Sequence, residues 1–288
     1  MRQQPLFDHY HLLAENRHTP AKLSSMAAGP ELDAATVLLQ WASGGLLFCW
    51  VTTRHNEVGL GYGWLLRGTY AAIAILAAIA GFGWASRPLR DSGSVVVAGI
   101  ALVTLILSIT WRPNRAGDHQ QSGRLYDSKW DLLAPSFGFL ALAVAGLTGG
   151  GNELLQTARI IVGAAFLGAV TDAMLLGHWY LVQPGLKREP LIEQVSWLGK
   201  LWPVEVGLLL LPTGMFSVLS GTIDDSYGGM LGWFWAACAI TTGALVLVTR
   251  AALRERQYAA VMAATGLLYL AILTAFGTDV VARLVLET

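Results

Sequence analysis

ARIIVGAAFLGAVTDAMLLGHWYLV, residues 158–182, decides the fold. Beyond Arg159 the stretch is apolar through Val170, then admits Asp172 and, near its end, His178. A helix rises about 1.5 Å per residue, so a stretch of this length crosses the roughly 30 Å of hydrocarbon in a bilayer. Helix is the required form, because lipid offers backbone polar groups no partners. Ala165, Ala169, Ala173 and Gly177 recur every fourth residue. Such a stripe lets a second helix approach closely, which predicts a central place in a bundle for this helix.

Similar apolar stretches recur along the 288 residues, at 34–53, 63–86, 93–111, 132–150, 158–183, 201–220, 228–249 and 257–282. The reading is all-α: a polytopic transmembrane bundle of about eight spans, residues 34–288, behind a polar N-terminal tail, residues 1–33. Composition agrees. Charged residues make up 13% of the chain, about half the usual share of a soluble domain. The tail lacks the apolar core of a signal peptide, so the first span is expected to serve as insertion signal and stay in the membrane. The segment LIEQVSWLGKLWP, residues 191–203, sets Leu191, Val195, Leu198 and Trp202 on one face. It reads as a short amphipathic helix near 190–200 lying in the interface, with the sixth span opening near Pro203.

The polar residues inside this apolar frame are the candidate sites. Asp172 lies thirteen residues beyond Arg159, about 20 Å deep. A carboxylate at that depth costs about 2.5–3.5 kcal/mol on insertion scales, so it should face protein or water and have a partner. His178 points about 120° away from Asp172, so the two are no pair. The run His178, Trp179, Tyr180 falls at headgroup level. It reads either as an aromatic belt or as the wall of a quinone headgroup site. Glu205, just past the Trp202–Pro203 turn, is expected at the depth of His178 and Tyr180, where the three would form a polar cluster. Glu193 and Lys200 share a face and are expected in water. Arg67 is expected to snorkel to the interface, and Asp279 with Arg283 to form an i,i+4 pair.

Several chemistries find no support in the residues. Net charge is zero and no basic cluster interleaves with aromatics, so nucleic acid is not an expected partner. Cys49 and Cys238 both sit inside spans and no Cys/His ligand spacing occurs, so no metal site is expected. Among the six histidines only His178 lies in a span, with His55 just beyond the first. That speaks against a transmembrane haem, which needs two axial ligands. Without HExxH, GxSxG or an aspartyl dyad, no catalytic residue is expected either.

Orientation follows from the basic residues at the span ends. Arg54, Arg112, Arg115, Arg124, Lys129, Lys187, Arg188, Arg250, Arg254 and Arg256 fall on one side. The other side has Arg87, Arg90, Arg159 and Arg283, besides three in the tail. The first side is therefore read as cytoplasmic, with both termini outside, in a plasma or inner membrane. Intramembrane ionisable groups read as few, which points to a subunit of a larger membrane assembly, electron-transferring or quinone-linked, with lipid and other subunits as partners. No cofactor is required by the sequence, and quinone is the one the His178 stretch would suit. The alternative is a small proton- or ion-coupled transporter using Asp172 and Glu205.

Overall fold

The computed structural model describes residues 33–84, 86–111, 126–148, 152–183, 185–210, 214–225 and 227–286. The tail 1–32 and loop residues 112–125 lie outside them, and with them Arg112, Arg115, Arg124 and the three basic residues of the tail used for the orientation. Nine helices and no strand appear among the described residues: α1 Ala34–Thr53, α2 Leu60–Gly83, α3 Pro88–Thr110, α4 Leu133–Leu147, α5 Glu153–Val182, α6 Glu189–Leu210, α7 Met215–Leu219, α8 Met230–Ala252 and α9 Tyr258–Leu286. A 3₁₀ turn, Ser128–Leu132, leads into α4. Seven of these segments are long and apolar enough to cross a membrane. The chain is a multi-pass helical membrane protein.

Local chemistry sets the helix starts. Pro88 opens α3, where its missing N–H costs nothing. The Asn152 side chain accepts from the N–H of Leu155 at 3.2 Å and caps α5. Before α8, the Asp225 carboxylate accepts from the N–H groups of Tyr227, Gly229, Leu231 and Gly232 at 2.7–3.3 Å. Gly229 takes a φ of +84° there, which glycine adopts without strain. Burial alone would lift the Asp225 carboxyl, but these four donors leave it below the usual carboxylate range.

The sixth segment departs from its reading. No interfacial helix ends before Pro203. One helix, α6, runs from Glu189 to Leu210 with Pro203 inside it. It lies antiparallel to α5: Tyr180 bonds the Lys187 carbonyl just before its start, and Arg159 Nε donates to the Leu208 carbonyl at 2.9 Å near its end. α6 therefore spans the same depth as α5, although it is less apolar than the seven. The face Leu191, Val195 and Leu198 is fully buried. A helix packed against other helices produces the same amphipathic periodicity as one lying on lipid. Trp202 fixes the far side, donating to the Ala239 carbonyl of α8 at 2.9 Å. Glu193 is not simply solvated; it pairs with Arg54 at the end of α1, while Lys200 lies 4.8 Å over the ring of Trp197.

α5 is central, touching α1, α4, α6 and α9. Its closest neighbour is α1. A Cβ added at Gly44 would run into the Ala164 carbonyl, and one at Gly168 into the Gly44 backbone. Gly177 of the small-residue stripe meets α9, where an added Cβ would lie 2.8 Å from Thr265 Oγ1. Successive long helices alternate in direction, so the start of α1 and the end of α9 share one face, here the first. The second face carries residues 54–59, 126–128, 183, 185–188 and 253–257.

Candidate functional site

Asp172 is fully buried. It lies ten residues from the end of α5, about 15 Å, and Tyr70 lies ten residues from the start of α2, the same depth. The Tyr70 hydroxyl donates to Asp172 Oδ1 at 2.5 Å, and that of Tyr62 to the Asp172 backbone carbonyl at 3.3 Å. Asp172 Oδ2 has no hydrogen-bond partner, and Asp172 forms no ion pair among the described residues. Gly45 makes the Tyr70 bond feasible, because any Cβ there would occupy the space of the Tyr70 ring. The expected partner for Asp172 therefore exists, and it is a tyrosine. Tyrosine in mid-hydrocarbon signals a hydroxyl in search of an acceptor, and Tyr70 is placed that way by the apolar residues around it in α2.

The cluster of His178, Tyr180 and Glu205 does not form. His178 is exposed, and its Nδ1 lies 3.2 Å from the Tyr269 hydroxyl of α9, the rings edge to face. Tyr180 is buried, but its hydroxyl donates to the Lys187 carbonyl and closes the turn into α6. Glu205 is at the other end of the bundle. Because α6 starts at Glu189, Glu205 is sixteen residues in, about 24 Å from the second face. It is fully buried, has no hydrogen-bond partner for either oxygen, and stands within electrostatic reach of Asp279, Arg283 and Arg159. Asp279 and Arg283 form the expected i,i+4 pair at 2.8 Å, buried rather than exposed. Around Gly163 the same group closes in. A Cβ there would lie 2.8 Å from Asp279 Oδ1, 3.1 Å from Gln40 Nε2 and 3.2 Å from Arg283 Nη2.

Arg67 does not snorkel. It is buried and grips Asp131 with two bonds of 2.7 and 2.6 Å. Tyr126 donates to the same carboxylate at 2.5 Å, with its ring 5.3 Å from the guanidinium. Burial, then the charge of Asp131 and the bond to it, hold the Tyr126 hydroxyl well above its ordinary pKa, so it stays a donor. Near the first face Arg90 joins Asp33 and Asp91. Buried charges are thus not few: Arg67, Arg90, Asp91, Asp131, Arg159, Asp172, Glu205 and Asp279 are all inside. Arg67, Asp131 and Arg90 pair across elements, which sequence spacing does not reveal.

Chemically, the bundle offers two carboxyls with bare oxygens, Asp172 at mid-depth and Glu205 nearer the first face, and neutralised ion pairs elsewhere. No protein-family model, curated protein or solved structure matches the chain.

Proposed function

We propose that this protein handles protons within the membrane, with Asp172 as the exchanging group. One observation carries the reading: a fully buried carboxyl at mid-depth has one oxygen bonded by Tyr70 and the other bare. A proton on Oδ2 leaves the Tyr70 bond intact. Its release creates a charge that low-dielectric surroundings oppose, so binding and release can be tied to a change in the bundle. Glu205 is a second such carboxyl, about 9 Å nearer the first face, by the sixteen residues from Glu189 to Glu205 against the ten from Asp172 to Val182. On this reading the chain is a small proton-coupled transporter in a cell membrane. The test is proton movement in vesicles holding the purified protein and a trapped pH dye. Asp172→Asn keeps the shape and the Tyr70 contact and should abolish the flux. Flux at wild-type level in D172N ends the reading.

A second reading keeps the proton chemistry and makes the chain a subunit of a larger electron-transfer assembly. The size of the internal spaces favours it. The spaces of about 40 and 20 Å³ hold waters rather than a solute or a quinone ring, at about 10–15 Å³ per water, and the roomier cleft of about 430 Å³ lies at the first-face ends of α3 and α4, away from Asp172. Purification in mild detergent separates the two. A stoichiometric redox partner decides for the subunit, and proton flux by the chain alone decides for the transporter.

A further inference from the structure

The two faces treat Asp172 differently. Toward the second face the bundle opens. A cavity of about 40 Å³ lies between the end of α1, the start of α2, the end of α3 and the start of the 3₁₀ turn, lined by Thr53, Gly63, Arg67, Ser108, Tyr126 and Ser128 among others. It has room for about three or four waters at about 10–15 Å³ each. A Cβ at Gly63 would sit 2.8 Å from Arg67 Nη1 and 3.4 Å from Thr53 Cγ2, so glycine keeps this space clear. Arg67 forms part of the cavity wall, held by Asp131. From Arg67 to Tyr70 is a rise of about 5 Å along α2. Buried Cys49, one turn before Thr53, is within electrostatic reach of both Arg67 and Asp172. Roughly one helical turn therefore separates the cavity from the carboxyl.

Toward the first face the helices close directly beside Asp172, and the cleft of about 430 Å³ there lies between the start of α3 and the end of α4. Gly168, one turn before Asp172, is pressed on the backbone of Gly44, and the Tyr70 ring lies on Gly45 in the adjoining layer. A cleft at Arg159, Ile160 and Arg283 stops about 12 Å short of Gly168, the rise of the eight residues between Ile160 and Gly168.

We infer that the cavity at Gly63, Arg67 and Tyr126 is the path by which Asp172 exchanges protons with the second face, and that the Gly44–Gly168 contact closes the first. The inference rests on the proton-exchange reading. Waters in the cavity pass a proton by exchanging hydrogen bonds, beside a wall in which Arg67 is neutralised by Asp131.

The test uses the whole chain in lipid vesicles. The infrared carbonyl band of protonated Asp172, identified by its loss in D172N, is followed on transfer to heavy water. Gly63→Leu fills the cavity from within. Ser128→Trp covers it from the half-buried rim and keeps the test available should G63L fail to fold. Either variant should slow the isotope shift by about tenfold, and Gln156→Trp, in the first-face cleft, should leave it unchanged. A band present but equally fast in folded G63L and S128W overturns the path and leaves the proton-exchange reading standing. Absence of the band in the wild type at every pH where the bundle stays folded overturns both.

Discussion

Asp172 and Tyr70 depend on each other at the scale of single bonds. Tyr70→Phe leaves the carboxyl buried with no side-chain donor, at a cost of about 1–3 kcal/mol. Asp172→Leu strips the acceptor from a fully buried tyrosine hydroxyl and should cost a similar amount. Thermal unfolding in detergent should show both variants less stable than D172N, which still accepts from Tyr70. Equal stability of D172L and D172N would mean that the 2.5 Å bond contributes nothing. Gly45→Val should be worse than either, because its side chain takes the place of the Tyr70 ring.

Between elements, buried ion pairs and caps hold helices in register. Arg67→Met leaves Asp131 charged and buried, a loss of about 3–5 kcal/mol, whereas replacing both partners with apolar residues of similar volume is often near neutral. R67M should therefore unfold at lower temperature than R67M/D131L. The reverse order would show that Asp131 finds other support. Asp225 makes the start of α8 sensitive to pH. Its folded pKa lies below the ordinary carboxylate value. Its stabilisation is therefore present above about pH 4 and lost as pH falls through the folded pKa. Asp225→Asn should lower the unfolding temperature at neutral pH, and the gap to wild type should close in acid. A gap constant with pH would place the effect elsewhere.

Across the whole molecule, α6 sets the parity. With it spanning the depth of α5, both ends of the described chain lie on one face, and the bias of basic residues predicts that face to be the non-cytoplasmic one. A reporter fused after Thr288 should read non-cytoplasmic and one inserted within 113–129 cytoplasmic. Agreement between the two reporters would remove α6, or another helix, from the crossing set. Outward-facing side chains such as Leu102, Ile106, Ile240, Leu247 and Leu273 are exposed, as a lipid-facing surface requires.

The sequence by itself determined that this is a helical membrane protein, because apolar length is a local property and lipid admits few other backbones. It also located Asp172, since a carboxylate inside an apolar run stands out in one dimension. The ion pair Asp279–Arg283 was legible for the same reason: four residues on one helix are neighbours whatever surrounds them. Tertiary structure alone decided the partners. Tyr70 meets Asp172 across 102 positions and Arg67 meets Asp131 across 64, separations that no periodicity encodes. It also decided the depth of Glu205, because the helix that carries it begins at Glu189 rather than at Pro203. An amphipathic face shows that one side of a helix is covered, and only packing against α5 shows by what.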